Sequence, residues 1–315
     1  MSLHRPPHSS SGIPPAGTVR RSFVRAGASL AAVGMVGLAL AQPAAAHSGN
    51  SSRAVHAGRG ASAVRYVALG DSYSSGLGIP DQVDLDCGRS DHNYPTLVAG
   101  AVHAAQVTDV TCAGADTGHM TEPQESASPQ LAALRPDTTL VTLGIGGNDL
   151  GLTEVITRCV LVAYLAPNGS PCKASYTLLG TDEIRTRIND TAPKIEAVLE
   201  EIHARSPQAK VLLVGYPVIL PDDGSACRDL IPLATGDFAW FRDKEKQFDS
   251  MLAQQAAVSD ATYVNTYAPS VGHDACKADG VRWIEPTDTE NAAGFHPNAA
   301  GHRSMADGVL AAVGR

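Results

Sequence analysis

The sequence predicts an α/β fold in which a parallel sheet is covered by helices on both faces. Five short runs rich in Val, Leu, Ile and Thr alternate with longer segments in which apolar residues recur at helical spacing. The short runs are nearly continuously apolar instead of alternating with polar residues, which is typical of strands buried on both faces. Strands that alternate with helices along a chain favour parallel pairing, so one α/β domain is predicted.

The individual elements follow from the same patterns. The predicted strands are 66–69, 107–111, 138–143, 210–214 and 262–265. The predicted helices are 94–105, a short one at 129–134, 150–164, 182–204, 237–259 and 298–313. The helix at 182–204 has the clearest periodicity, because its apolar residues lie on one face: Ile184, Ile188, Ile195, Leu199 and Ile202. Segments 79–91 and 166–179 are predicted to be loops, the first polar and the second rich in Pro and Gly.

The first 46 residues are predicted to be a secretory signal peptide of the twin-arginine type. They combine a basic start, the pair Arg20-Arg21, an uncharged apolar run at 26–41 and a small-residue site that ends at Ala46. The apolar run is short for a membrane span, so no stable membrane anchor is expected. Residues 47–63 are rich in Gly and Ser and are predicted to be a flexible leader.

The remaining residues, 64–315, are long enough for one large domain. The first 46 residues contain four of the 24 basic residues and none of the 32 acidic ones, so cleavage would lower the formal net charge from −8 to −12. Such an acidic chain is not expected to bind nucleic acid or anionic membrane surfaces.

Six cysteines lie after the predicted leader, and an even number in an exported chain predicts disulfides. Their spacing contains no Cys-x-x-Cys pair, which disfavours a zinc or redox site. Six cysteines allow about fifteen pairings. The simplest is sequential, because each bridge then closes one excursion of the chain: Cys87 with Cys112, Cys159 with Cys172 and Cys227 with Cys276.

A candidate nucleophile follows the first predicted strand. The run 66–69 ends at Gly70, and Ser72 lies two residues further, where the strand reaches the rim of the sheet. A serine hydroxyl needs a base that accepts its proton, and histidine is suited to this near neutral pH. His296 lies on a Gly- and Pro-flanked loop before the last helix and is the candidate base.

Three groups are candidate donors to an oxyanion: the backbone N–H of Ser72, the backbone N–H of Gly114 and the side-chain amide of Asn148. All three stretches directly follow predicted strands. Ligands of parallel sheets bind at the carboxyl ends of the strands, so we expect these stretches to converge on one site.

Two other sites are disfavoured by spacing. The nucleophile elbow of α/β-hydrolases requires Gly-x-Ser-x-Gly, whereas Ser74 occupies the position of its second glycine. A metal site formed by His296 and His302 is also disfavoured, since a spacing of six residues places them on different faces of a helix.

These stretches resemble the conserved blocks of the SGNH (GDSL) hydrolase family. Gly70-Asp-Ser-Tyr-Ser is similar to the first block. Gly114, Gly146-Gly-Asn148 and His296 are similar to the second, third and fifth blocks. The likeness extends over nearly all of 65–315, and the twin-arginine leader with six cysteines resembles the secreted lipases and esterases of actinomycetes.

The resemblance implies a flavodoxin-like, three-layer α/β/α sandwich with a five-stranded parallel sheet, hydrolysis of carboxylic esters, and no cofactor. It also implies that Ser72 is the nucleophile, that His296 is the base, and that Ser72, Gly114 and Asn148 form the oxyanion hole.

The chain departs from the family at one position. The family usually places an aspartate three residues before the histidine, and here that residue is Ala293. The prediction is that the main-chain carbonyl of Ala293 accepts the Nδ1 proton of His296 and orients the ring. Asp288 and Glu290 are the alternatives.

The resemblance favours a secreted, extracellular, lipase-like esterase. Its alternatives are a phospholipase A, a deacylase of polymeric esters, and an inactive secreted binding domain on the same fold. We expect an ester or lipid substrate and a monomeric protein.

Overall fold

A computed structural model describes residues 63–287 and 289–315. The predicted signal peptide and the leader up to residue 62 lie outside the described residues. Within the described part of the chain, no helix is long and apolar enough to cross a membrane.

Five strands form one parallel sheet, as predicted. The described residues form seven strands: β1 (Arg65–Gly70), β2 (Gln82–Asp84), β3 (Arg89–Ser90), β4 (Gln106–Asp109), β5 (Leu140–Gly144), β6 (Lys210–Val214) and β7 (Thr262–Val264). Strands β2 and β3 form a separate antiparallel pair, and the other five make up the parallel sheet. The order β4–β1–β5–β6–β7 is that of flavodoxin-like folds. The direction of strand order therefore reverses between β1 and β5, where a ligand crevice is expected.

Helices cover both faces of the sheet. The α-helices are α1 (Ser72–Ser75), α2 (Tyr94–Ala101), α3 (Leu152–Leu165), α4 (Pro171–Tyr176), α5 (Glu183–Arg205), α6 (Asp237–Val258), α7 (Tyr267–Ser270) and α8 (Ala299–Val313). Short 3₁₀ helices occupy Thr117–Met120, Gln130–Ala133 and Leu178–Gly180.

Alternate residues of the central strands enter two separate cores. Tyr66 and Ala68 of β1 pack in a core that includes Met305 of α8. Val67 and Leu69 pack on the opposite face, in the larger core formed with α3, α5 and α6. This burial on both faces explains why the strands carry continuous apolar runs.

Two predicted loops contain regular structure. Segment 79–91 includes the antiparallel pair β2–β3. Segment 166–179 contains α4, whose first N–H groups are bonded by a residue distant in sequence. The Asp237 carboxylate accepts hydrogen bonds from the N–H groups of Cys172 and Lys173, each at 2.9 Å. A helix end satisfied from another helix carries no local sequence signal.

The disulfides agree with the sequential pairing. Cys87 is bonded to Cys112, Cys159 to Cys172 and Cys227 to Cys276. The described residues contain no free cysteine. Cys112 lies two residues before Gly114, so the first bridge restrains the loop that contains a candidate oxyanion donor.

Candidate active site

The loop that contains the candidate nucleophile is formed by a sharp turn at the end of β1. Gly70 has a φ of +152°, and a Cβ atom there would lie 2.4 Å from Ser74 Oγ and 2.6 Å from the Gly144 carbonyl oxygen. The buried Gln130 side chain accepts the Gly70 N–H and donates to the Gly70 carbonyl. The turn therefore requires glycine, and it places Ser72 at the start of α1.

Ser72 and His296 form a dyad. The distance between His296 Nε2 and Ser72 Oγ is 2.8 Å. His296 Nδ1 lies 2.8 Å from the main-chain carbonyl oxygen of Gly294. A carbonyl can only accept a hydrogen bond, so Nδ1 carries the proton and Nε2 is free to accept the hydroxyl proton of Ser72.

The prediction that Ala293 supplies this carbonyl is wrong by one residue. The Ala293 carbonyl accepts the backbone N–H of His296 at 3.1 Å, closing a turn that directs the Gly294 carbonyl at the imidazole. No carboxylate of the described residues lies within hydrogen-bond distance of His296 Nδ1. Glu290 is exposed to solvent, and Asp288 lies outside the described residues.

The environment of His296 favours its neutral form. Burial lowers the pKa of the imidazole below its ordinary value, while the hydrogen bond to the Gly294 carbonyl raises it by less. The neutral ring is the form that can accept a proton from a serine.

The loop that contains His296 is held by hydrogen bonds to its main-chain groups. Tyr73 Oη donates to the Phe295 carbonyl at 2.5 Å, and the Ala293 N–H donates to the Leu77 carbonyl at 3.0 Å. Phe295 has a φ of +61°, which costs a non-glycine residue conformational energy. Both contacts come from the segment around α1, so the candidate nucleophile and the candidate base are positioned against each other.

Two of the three candidate oxyanion donors, Gly114 and Asn148, lie on loops that are joined together. Asn148 Nδ2 donates to the Ala115 carbonyl at 2.7 Å, leaving its second amide hydrogen available. The Asp149 carboxylate accepts the Thr117 N–H at 3.0 Å and the Thr117 hydroxyl at 2.6 Å. The segment after Gly114 is therefore fixed to the loop after β5.

Two backbone donors remain available near these contacts. Gly114 has a φ of +81°, in the region that favours glycine. Within the part of the chain that the structure describes, neither the Ser72 N–H nor the Gly114 N–H donates a hydrogen bond to a protein atom. Polar hydrogens without partners are what an oxyanion hole requires.

A cleft brings the dyad and Asn148 to one surface. It is lined by Asp71, Ser72, Tyr73, Gly147, Asn148, Leu152, Thr153, Ile156, Thr157, Tyr216, Gly294, Phe295 and His296. Gly114 does not line this cleft, and the loop that contains it contacts the cleft through the hydrogen bond of Asn148 to the Ala115 carbonyl.

His302 has a structural role away from the cleft. It is fully buried, and its Nδ1 accepts the Tyr94 N–H at 3.0 Å. Among the described residues, the group with metal-binding geometry is Asp81, Asp91 and His92, which are all exposed and do not line the cleft.

Tyr73 and Tyr216 both line the cleft, although no sequence motif predicted either of them as a site residue. Tyr216 Oη accepts the Gly147 N–H at 3.0 Å and donates to the Asp71 carboxylate. Burial raises the pKa of Asp71 to about 7, and the hydrogen bond from Tyr216 opposes that rise. Tyr216 follows β6 at the carboxyl edge of the sheet, and this position is the only sequence signal that could have indicated it.

A second, almost entirely apolar cavity adjoins the cleft and shares Gly147, Leu152 and Tyr216 with it. Its apolar walls come mainly from α3, α5 and α6 and include Leu150, Val155, Ile184, Ile188, Ile219, Trp240, Phe241 and Phe248. The lining of the cavity includes two ionisable residues, Lys244 and Glu245. Lys244 pairs with Asp182, and burial raises the pKa of Glu245 well above its usual range, which favours the neutral acid. The cavity thus offers an apolar compartment beside the dyad.

Comparison with known proteins identifies similar sequences and folds. Residues 68–304 match the GDSL-like lipase/acylhydrolase family. The chain is 41% identical over 256 residues to Lipase 2 of Streptomyces coelicolor, covering 79% of this chain and 85% of that protein.

Two solved structures are similar in fold and in sequence. The phospholipase A1 of Streptomyces albidoflavus superposes with a TM-score of 0.67 at 30% identity, covering 79% of this chain and 99% of that one. The extracellular lipase of Streptomyces rimosus also superposes with a TM-score of 0.67, at 28% identity and the same coverage of 79% and 99%.

Proposed function

This chain belongs to the GDSL-like lipase and acylhydrolase family, and we propose that it is a secreted serine esterase that works through an acyl-enzyme on Ser72. Its relatives include proteins named lipase and esterase, so it is a carboxylic ester hydrolase and not an inactive binding domain. The observation that carries the proposed mechanism is the geometry of His296, with Nε2 2.8 Å from Ser72 Oγ and Nδ1 2.8 Å from the Gly294 carbonyl.

The proposed reaction has two halves. In the first, His296 Nε2 takes the hydroxyl proton as Ser72 Oγ attacks the ester carbonyl carbon, and the carbonyl oxygen becomes an oxyanion. The intermediate collapses when the imidazolium returns the proton to the departing alcohol. In the second half, His296 removes a proton from water, the resulting hydroxide attacks the acyl group, and Ser72 leaves with that proton.

The oxyanion accepts hydrogen bonds from the Ser72 N–H, the Gly114 N–H and the Asn148 amide in this proposal. These donors act mainly on charge that appears in the transition state, so they lower the activation barrier more than they strengthen substrate binding.

The apolar cavity beside the dyad supports a substrate with an aliphatic acyl chain. Removing a buried CH₂ group from water is worth roughly 0.8 kcal/mol, so a chain that fills this cavity gains affinity with each carbon. The cavity favours long acyl chains over acetyl groups, and the relatives named lipase make a lipase-like esterase the preferred class. A phospholipase A and a deacylase of polymeric esters remain the alternatives.

A panel of substrates tests both the activity and the preference. The purified protein is expected to hydrolyse p-nitrophenyl octanoate with a higher kcat/KM than p-nitrophenyl acetate, and a fluorophosphonate is expected to label Ser72 alone. Triglyceride emulsion, phosphatidylcholine and acetylated xylan separate the three candidate classes. A label on another serine would contradict the assignment of the nucleophile, whereas a preference for acetate would contradict only the acyl-chain preference.

Export through the twin-arginine route is part of the proposal. The three disulfides support it, since such bonds persist mainly outside the reducing cytosol. N-terminal sequencing of protein from the culture medium should begin at His47, and Arg20→Lys with Arg21→Lys should block its appearance there.

Asn148→Ala is expected to lower kcat by about 10²- to 10³-fold with a much smaller change in KM. The substitution removes a donor that acts on the oxyanion, while the substrate ground state depends less on it. Steady-state kinetics on one p-nitrophenyl ester, with a thermal melt to verify folding, measure this. A folded variant with the wild-type kcat would mean that Asn148 only holds the Ala115 carbonyl.

A further inference from the structure

We propose that Tyr216 is a positioning residue whose hydroxyl aligns the oxyanion donors with the nucleophile. The proposal rests on the acyl transfer proposed above and assigns a role to a residue outside the conserved blocks. Tyr216 is 6% exposed and lies in the loop after β6, a strand that carries none of the predicted catalytic groups.

The Tyr216 hydroxyl joins two loops of the site. It donates its proton to the Asp71 carboxylate, and its oxygen accepts the Gly147 N–H at 3.0 Å. Asp71 precedes the nucleophile Ser72, and Gly147 precedes the donor Asn148. One hydroxyl therefore holds the end of β1 and the end of β5 at a set separation.

The same chain of contacts reaches the third donor. Asn148 Nδ2 donates to the Ala115 carbonyl at 2.7 Å, and Ala115 follows Gly114. Each residue that supplies an oxyanion donor is thus part of this chain of hydrogen bonds or adjacent to a member of it. Asp71 also accepts the Tyr73 N–H at 2.9 Å, which fixes the first turn of α1.

The ring of Tyr216 is held independently of its hydroxyl. Its centroid lies 4.9 Å from the Tyr73 ring in an edge-to-face arrangement and 5.2 Å from the Phe248 ring. Tyr216→Phe therefore keeps the ring contacts and removes only the polar link. The buried Asp71 carboxylate then loses a donor and the Gly147 N–H loses its acceptor, so both loops are expected to shift toward new partners.

A small shift at this position affects the transition state more than the bound substrate. Donors must lie about 2.7–3.1 Å from the developing oxyanion, and a displacement of about 1 Å can cost 10²-fold in rate. Substrate binding depends mainly on the apolar walls, and Tyr216→Phe keeps the aromatic ring that Tyr216 contributes to them.

The test compares Tyr216→Phe with Tyr263→Phe. Tyr263 Oη donates to the buried Asp249 carboxylate at 2.8 Å, so the control also removes a hydroxyl from a buried aspartate, but it does not line the cleft. Asp249 Oδ1 accepts the backbone N–H of Tyr216 as well, so the control reports any disturbance passed through that main chain. Tyr216→Phe is expected to lower kcat by about 10- to 10²-fold with KM within about twofold, and Tyr263→Phe is expected to keep the wild-type kcat.

A double-mutant cycle with Asn148→Ala identifies the route of the effect. If Tyr216 acts through the oxyanion donors, Tyr216→Phe should cost much less in the Asn148→Ala background than in the wild type. Asp71→Asn changes the acceptor of the Tyr216 hydroxyl with little change in side-chain volume. We expect it to lower kcat less than Tyr216→Phe does, with KM unchanged.

Three results would overturn the proposal. The first is a wild-type kcat in folded Tyr216→Phe or, if that variant does not fold, in folded Asp71→Asn. The others are an equal fall of kcat in Tyr263→Phe, and effects on the activation free energy that add in the double mutant. If the wild-type protein hydrolyses no ester at all, the proposed function itself fails. Active wild-type protein with unaffected Tyr216 and Asp71 variants contradicts only the positioning role.

Discussion

Ser72→Ala is expected to yield a folded protein whose kcat is lower by about 10⁴-fold or more. Without Oγ no acyl-enzyme can form, and any residual rate comes from water that attacks a substrate bound beside the oxyanion donors. The side chain is small and Asp71 still caps α1, so the thermal unfolding temperature should change little. Initial rates on p-nitrophenyl octanoate, with fluorophosphonate labelling as a second readout, measure the effect.

Ser75→Ala is the matched control for this change. Ser75 lies on the same turn of helix, is also buried, and donates to the Gly88 carbonyl at 2.9 Å. Its loss is expected to cost about 1 kcal/mol of stability and to leave hydrolysis intact. Equal loss of activity in the two variants would indicate that disruption of α1, and not removal of the nucleophile, is the cause.

His296→Ala is expected to cause a comparable loss of about 10⁴-fold or more in kcat, since no other base of the described residues contacts Ser72 Oγ. In the wild-type enzyme, the acidic limb of kcat/KM should titrate below 6.5, the ordinary value for histidine. The sign follows from burial, which lowers the pKa of His296. The neutral base then persists to lower pH, and activity is lost only as pH falls through that lowered pKa.

Two controls separate this assignment from its alternatives. His92→Ala removes an exposed histidine and should leave the rate and pH profile unchanged. Glu290→Gln and Asp288→Asn should also be mild, because the Gly294 carbonyl orients the ring. A fall of roughly 10⁴ in kcat on neutralising either carboxylate would show that a charged group supports His296 instead.

The sheet was largely predictable because each strand depends on its own apolar residues. All five predicted runs are strands of the parallel sheet, with ends that differ by up to two residues. The sequence signal for an element is weaker where a residue distant in sequence forms the hydrogen bonds of its backbone groups. The helix α4 is the example, since the Asp237 carboxylate from α6 bonds its first N–H groups.

The identity of the dyad was also contained in the sequence. Ser72 after Gly70, and His296 on a loop before the last helix, are positions that chain order and residue type can indicate. The hydrogen-bond partner of His296 Nδ1 could not be identified from the sequence, because every residue of that loop has a main-chain carbonyl. Only the turn closed by the Ala293 carbonyl and the His296 N–H decides that Gly294 faces the ring.

The sequence by itself determined the fold class and the two residues that meet at the carboxyl edge of the sheet, and it favoured the sequential disulfide pairing that the structure forms. These depend on local apolar patterns and on residues whose chemistry is distinctive. The tertiary structure alone decided how the Ser72, Gly114 and Asn148 loops are joined, with Tyr216 linking two of them. That linkage depends on distances between segments remote in sequence, and a tyrosine hydroxyl becomes a positioning group only where folding buries it between two such segments.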